Sequence, residues 1–389
     1  LRLAPAATVT PSRIRVIASL ADQHPGTLRL FVGEDTLPTP DFIKDAAHRA
    51  IQENRTYYTP NAGYPEVRRA IAEHLRSLHG VEVDPDHQIV MTASGMNAIV
   101  LACQATVGPG DSALVLGPLW PNTVAALRIA GADPIEVPYA RSSYGFELDR
   151  AALEAQVRPD TRLLALASPS NPTGWTASME DWAWIVSFCE RHDLWLLADA
   201  VYERIVFQGR VASSPLSLPG AARRTIVAQS FSKAYRMTGW RIGYVVAPPD
   251  LAPTLAHLQE FAVSHAPGIM QDAALVALRD GEAYLAESQA RYARHRDIVL
   301  DHLRTIDGVD LTPPQGAFYV FPRLSGLTDS LGFCQFLVRE FGVGVAPGVA
   351  FGAGGEGHVR LCFAVDEVTL TEALQRFQAG WMVYRSRKG

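Results

Sequence analysis

Leu194-Trp195-Leu196-Leu197-Ala198-Asp199 puts a carboxylate at the end of an unbroken apolar run. A strand with one wet face alternates apolar and polar residues, whereas a strand covered on both faces does not. The run is far too short to span a bilayer. It reads as a strand buried on both sides whose last residue reaches the mouth of a sheet. Comparable runs occupy residues 88–92, 112–116, 163–167, 225–229 and 242–247. Helical patterns lie between them at 97–107, 121–130 and 178–191. Strand and helix in this order predict an α/β domain around a mostly parallel sheet.

After about residue 250 the pattern changes. A helical stretch rich in Ala, Arg and Glu covers 282–303, short strands are expected at 317–321 and 358–363, and helices at 331–340 and 367–380. That combination predicts a smaller α+β domain. The segment before Asp41 lacks the sheet pattern and is expected to pack with it. The expected division is therefore an N-terminal segment of the small domain at 1–41, a large domain at 42–285, and the rest of the small domain at 286–389.

Composition narrows the function classes. A chain of 389 residues is long enough for two cores, and 48% hydrophobic with 19% charged residues suits a compact, soluble, enzyme-like protein. A net charge of -5 argues against a nucleic-acid binder, which usually presents a basic face. No apolar run is long enough for a membrane span. Residues 1–11 lack a basic stretch followed by a long apolar one, so no signal peptide is expected there. Cys103, Cys189, Cys334 and Cys362 stand far apart and form no CxxC pair. They suggest free thiols in a reducing cytoplasm, with neither a metal site nor a disulfide framework.

Ligands of open parallel sheets gather at the carboxyl ends of the strands. Four such ends carry polar residues here. Asp199 closes the opening run, and an ionised carboxylate in that place needs a partner, such as a protonated ring nitrogen of a ligand. A helix cap or a metal ligand would explain it as well, but no His or second acid stands nearby for a metal. Tyr202 follows one turn on; alone it is one more aromatic residue.

Ser230-Phe231-Ser232-Lys233 follows another buried run. Lysine avoids interiors, and a surface lysine past a strand end is the plainer reading of this stretch alone. Arg241 stands eight positions later, where it requires an anion or a carboxylate; with Ser230 and Ser232 it could cradle a phosphate. A structural ion pair is the alternative. Ser168-Pro169-Ser170-Asn171-Pro172-Thr173-Gly174 is a stiff turn that could fix the Asn171 amide, though an ordinary loop asparagine looks the same. Ala93-Ser94-Gly95-Met96-Asn97 opens a helix with small residues and offers free N–H groups to a phosphate.

The order and spacing of these segments resemble the fold-type I pyridoxal-phosphate enzymes, specifically the class I/II aminotransferases related to aspartate aminotransferase. The resemblance covers about residues 11–378, and its most specific pieces are SPSNPTG, the DAVY around Asp199, and SFSKAYRMTGWRIGY. It implies a large α/β domain with a mostly parallel, seven-stranded-type sheet flanked by helices, plus a small α+β domain built from both ends of the chain. It also implies residue roles. Lys233 would carry pyridoxal 5'-phosphate as a Schiff base and later shuttle the substrate's proton. Asp199 would pair with the pyridine nitrogen, and Asn171 and Tyr202 would bond the ring's 3′-oxygen. Trp120 would stack on the ring. Ser94, Gly95, Ser230 and Arg241 would hold the phosphate, with Met96 adding a backbone N–H and Ser232 counted among the cofactor-binding residues. Arg360 would grip the substrate α-carboxylate, with the Gly33 backbone beside it, and Tyr58 would reach the cofactor phosphate of a partner subunit, which implies a homodimer. Singly, Trp120 is more often core, Arg360 an ion-pair residue and Gly33 a strand end.

Two departures bear on substrate. The motif often written GEPDFDTP reads Gly33-Glu34-Asp35-Thr36-Leu37-Pro38-Thr39-Pro40 here. Met96 stands where some bacterial aspartate enzymes carry a lysine for the distal carboxylate, so poor use of aspartate is expected unless another cation substitutes. His265, in Ser264-His265-Ala266-Pro267-Gly268, reads as a solvated loop residue with a possible reach to substrate. The resemblance implies ping-pong transfer of an amino group from an L-amino acid to a 2-oxo acid. A lyase, decarboxylase or oxidase could use the same scaffold. A regulator's effector domain would require a basic winged-helix segment ahead of the pattern, which starts near Pro11.

Overall fold

The computed structural model describes residues 9–142 and 145–387. Most of the stretch read for a signal peptide, residues 1–8, lies outside the described residues. The large sheet contains β1 (Ile89–Thr92), β2 (Ser112–Gly117), β3 (Asp133–Pro138), β4 (Thr161–Ala167), β5 (Trp195–Asp199), β6 (Thr225–Ser230) and β7 (Gly243–Val246). Their spatial order is β1-β7-β6-β5-β4-β2-β3. Pairing is parallel from β3 through β6, and β7 runs antiparallel to both β1 and β6.

The unbroken apolar runs have the expected cause. Leu114 and Leu116 of β2, with Leu164 and Leu166 of β4, enter the core on one face. Their neighbours Ala113, Val115, Leu163 and Ala165 enter the core on the other. All six expected strands form. The seventh, β3, was not expected. It is an edge strand in which Val137 alone is fully buried, so Asp133, Pro134, Glu136 and Pro138 are tolerated and hide the strand pattern. The reversal of β7 follows from its short connection. Residues 231–242 hold only the single helical turn Phe231–Ala234, less than a parallel crossover requires.

A third core gathers the two ends of the chain. Leu28–Arg29 pairs in parallel with Val343–Gly344. Ile17 and Leu30 belong to one buried apolar cluster with Leu361, Leu374 and Trp381. Val359–Cys362 is the middle strand of a small antiparallel sheet with Tyr319–Val320 and Ala346–Pro347. The helix Glu282–Arg304 links the cores: Leu285 is buried with the large sheet, and Tyr292, Val299 and Leu303 with the third core.

An N-terminal helix, Arg13–Asp22, was not read from the sequence. Ser12 caps it by accepting from the Ile14 amide. Ile17 and Ala21 face inward at helical spacing, a cue the sequence held.

Candidate active site

A cavity of about 590 Å3 opens where β4, β5 and β6 end, at Ala167, Asp199 and Ser230. Asp199 is buried at the tip of β5, and its Oδ1 accepts one hydrogen bond, from the Val201 amide at 3.2 Å. Among the described residues no side chain bonds it. Burial pushes its carboxyl up to about 6, opposed by that amide and by the Lys233 ammonium.

The sign of the pH effect follows. The folded protein keeps the Asp199 proton up to about 6, whereas the free side chain releases it near 3.8. Stability from this group is full below about 3.8 and is lost as pH rises through about 6. The loss between about pH 4 and about pH 7 is on the order of 2 kcal/mol. Melting curves of cofactor-free protein should show Asp199→Asn gaining that amount on the wild type across this range. An identical pH response in both proteins would contradict the assignment.

Lys233 sits in the turn after β6, and its Nζ donates to the Gly33 carbonyl at 2.6 Å. Burial pushes the amine down to about 8, and the Arg360 guanidinium adds to the fall. Gly33 cannot be replaced cheaply, because a Cβ there would meet the Tyr319 hydroxyl at 2.6 Å. Arg360 is 2% exposed. It donates from Nη1 to Asn171 Oδ1 at 2.8 Å and from Nη2 to the Phe31 carbonyl at 2.6 Å. Its Nε has no partner, and the guanidinium lies over the Tyr319 and Phe351 rings at 4.3 and 4.9 Å. No acid pairs with it among the described residues, so the ion-pair alternative fails. The Tyr202 and Tyr319 hydroxyls are 2.7 Å apart.

The other end of the cavity suits a phosphate. Ser94 caps the helix Gly95–Thr106 by accepting from the Asn97 amide at 3.0 Å. The amides of Gly95 and Met96, in the first turn, have no helical acceptor. Ser230 Oγ and Ser232 Oγ are 2.9 Å apart. A Cβ on Gly95 would lie 2.9 Å from the Ser230 Cβ, which keeps this floor open only for glycine. Arg241 is exposed, donates to the Thr238 carbonyl and has no acidic partner among the described residues. Trp120 lines the wall. A buried carboxylate lacking a cation, a cramped amine and a cluster of anion donors together fit pyridoxal phosphate.

Tyr58 and Ser94 do not line this cavity. Ser94 acts behind it as a cap. Tyr58 is 89% exposed, with its ring edge-on to His265 at 5.5 Å. His265 likewise stands outside the cavity. Sequence reasoning missed Tyr319, which sits in a strand of two residues with no motif around it. It also missed Ser12, Ile14, Arg15 and Ala18, which the unrecognised N-terminal helix brings to the cavity.

Comparison with known proteins agrees with this geometry. The family model for aminotransferase class I and II matches residues 27–377. An aromatic-amino-acid aminotransferase 2 of Thermococcus litoralis is 36% identical, over 95% of this chain and 95% of its own length. A probable N-acetyl-LL-diaminopimelate aminotransferase of Bacillus subtilis is 35% identical over 94% of this chain and 92% of its own. The solved aspartate aminotransferase of Rhizobium meliloti superposes with a TM-score of 0.92 at 33% identity, over 98% of this chain and 99% of that one. A cavity that fits the cofactor, on a chain matched by the family model over residues 27–377, places the protein in the class I and II aminotransferase family, as a pyridoxal-phosphate-dependent transaminase of amino acids.

Proposed function

We propose that this cavity moves an amino group from an L-amino acid to a 2-oxo acid in ping-pong fashion, with Lys233 holding the cofactor. The observation that carries the reading is Arg360. A buried guanidinium with only neutral acceptors requires an anion, and an α-carboxylate offers two oxygens to its fork. When bound, pyridoxal phosphate would supply an electron-withdrawing ring and a carrier for the amino group.

The chain's residues divide the remaining work. Arg360 holds the α-carboxylate beside the Gly33 backbone and so orients the donor's Cα. Lys233 Nζ, pushed down to about 8, is neutral often enough near neutral pH to take and return the Cα proton. Asp199 supplies the negative charge that keeps a ring nitrogen protonated. Asn171 and Tyr202 hold the ring oxygen, and Trp120 covers the ring. Gly95, Met96, Ser230, Ser232 and Arg241 receive the phosphate, with Ser94 fixing the helix that presents the amides.

Tyr58 is exposed and clear of this cavity, which suits a side chain given to the site of a partner subunit in a homodimer. The domain division at 41/42 and 285/286 is supported by the core shared between residues 17–30 and the C-terminal strands. Among the described residues no helix is long and apolar enough to cross a membrane, and a cytoplasmic enzyme without nucleic-acid contacts is the reading we adopt. Met96 carries no charge, so aspartate is not its specific donor.

Rapid mixing with amino acids should bleach the visible absorbance of the holoenzyme, and a 2-oxo acid should restore it. Arg360→Gln should keep the resting absorbance yet require about 100-fold more donor for the same bleaching. An unaltered donor requirement would sink the role given to Arg360.

A further inference from the structure

In the proposed reaction two side chains, Asn171 and Tyr202, donate to the cofactor's ring oxygen, and each has to be aimed. Arg360 aims Asn171. A guanidinium only donates, so its 2.8 Å bond to Asn171 Oδ1 leaves the amide nitrogen as the end that can donate. Tyr202 is a different case. A hydroxyl hydrogen rotates about its C–O bond to suit its surroundings, and nothing in the ring itself turns it toward a ligand. Among the described residues the hydrogen-bond partner of that hydroxyl is Tyr319, at 2.7 Å. Both side chains are buried, and burial raises the hold of both hydroxyls on their protons. Two neutral hydroxyls at this distance share one hydrogen, and either can donate it.

Tyr319 is the better fixed of the two. Its strand, Tyr319–Val320, pairs with Cys362 and Leu361. The Arg360 guanidinium covers its ring at 4.3 Å, and Phe318 meets the ring edge-on at 4.9 Å. The Gly33 backbone crowds its hydroxyl. The Ala317 amide donates to the Ile205 carbonyl at 2.8 Å, and the Phe207 amide to the Gln315 carbonyl at 3.1 Å. The stretch that leads into Tyr319 is thereby tied to the turn that carries Tyr202. The charged or titratable groups facing the pair are Arg360 and Cys362 on the neighbouring strand and Asp199 at the tip of β5. Among the described residues none of these three bonds either hydroxyl: Arg360 donates to Asn171 and Phe31, Cys362 to the Glu34 carbonyl, and Asp199 accepts from Val201.

We infer that Tyr319 is a positioning residue, which donates its hydroxyl hydrogen to Tyr202 and so turns the Tyr202 hydrogen onto the ring oxygen of the bound cofactor. Tyr319 takes this role on the reading that Tyr202 bonds that oxygen. Tyr202 has one hydrogen; once it is given to the oxygen, Tyr202 can only accept from Tyr319. A hydroxyl that accepts a hydrogen bond is polarised into a better donor. The ring oxygen is then held more firmly as an anion, and the nitrogen joining Lys233 to the cofactor binds its proton less tightly.

The pH midpoint of the resting holoenzyme's visible absorbance, measured without substrate, reads that proton. Tyr202→Phe, which removes the direct bond, should raise the midpoint by about one pH unit. Tyr319→Phe, which removes one oxygen and keeps the ring against the Arg360 guanidinium, should raise it by about half a unit. Adding Tyr319→Phe to Tyr202→Phe should move the midpoint no further, since the residue through which Tyr319 acts is already gone. A Tyr319→Phe midpoint equal to that of the wild type overturns the inference, whatever the variant does to the melting temperature. So does a half-unit shift that persists in the Tyr202→Phe background, because Tyr319 would then act on the cofactor by itself. Tyr202→Phe separates the two readings. If it raises the midpoint and Tyr319→Phe does not, the Tyr319 role alone fails. If it leaves the midpoint unmoved, the Tyr202 reading fails and takes the Tyr319 role with it.

Discussion

Lys233→Ala is expected to cut turnover by at least about 10,000-fold while the protein still retains pyridoxal phosphate without a covalent bond. Two physical facts separate the outcomes. The amine, lowered by burial to about 8, is a proton carrier of usable affinity near neutral pH. Tyr202 and Tyr319, both buried, hold their protons too tightly to replace it. Retention depends on other groups: the Asp199 carboxylate, the first-turn amides of Gly95–Thr106, and the Ser230 and Ser232 hydroxyls. None of these hydrogen-bonds to Lys233 Nζ among the described residues; its hydrogen bond goes to Gly33. Dialysis followed by absorbance should find cofactor in the variant with an altered visible band, and a donor screen should find no product. A variant with normal turnover and an unchanged band would remove Lys233 from its role.

Asp35→Ala is expected to cost about 3–5 kcal/mol of stability. The Asp35 carboxylate is 3% exposed and pairs with Arg236, Nε at 2.9 Å, and with Arg291. Tyr292 donates its hydroxyl to the same oxygen at 2.5 Å. Arg236 and Arg291 are 11% and 14% exposed. Truncating the acid would leave two largely buried cations without their shared counter-charge. The cluster joins three parts of the chain: the loop after Gly33, the segment just past Lys233, and the helix Glu282–Arg304. Arg236 also holds a backbone angle of φ 53, unusual for a side chain of its size. Asp35→Asn, which keeps the shape and one acceptor, should lose less. Urea unfolding monitored by fluorescence would measure both. A loss below about 1 kcal/mol for Asp35→Ala would show that the cluster is not a stabilising network.

Asp35 also shows what a sequence motif conceals. Read as part of Gly33–Pro40, the stretch pointed to substrate choice; in the fold Asp35 is an anchor. The α/β character was legible because residues 113–116 of β2, 163–167 of β4 and 195–198 of β5 are apolar without interruption, a pattern that burial on both faces imposes. The edge strand β3 was not legible, because an edge permits the prolines and acids that mark a loop elsewhere. Asp199, Asn171, Lys233 and Arg360 stood in recognisable segments, and the fold brings them to one cavity. Tyr319 and Arg15 had no such segment. Their place depends on how the third core packs against the strand ends, which separations of hundreds of residues do not encode locally.

The helix Glu282–Arg304 ties that packing to the molecule's cooperativity. Its 23 residues span about 34 Å. One end is embedded with Leu285 beside the large sheet, the other with Leu303 among the chain termini. Neither core can melt without stripping a face of this same rod. Fraying in one lobe therefore raises the free energy of the other, and the halves that enclose the cavity are bound to lose or keep their order together.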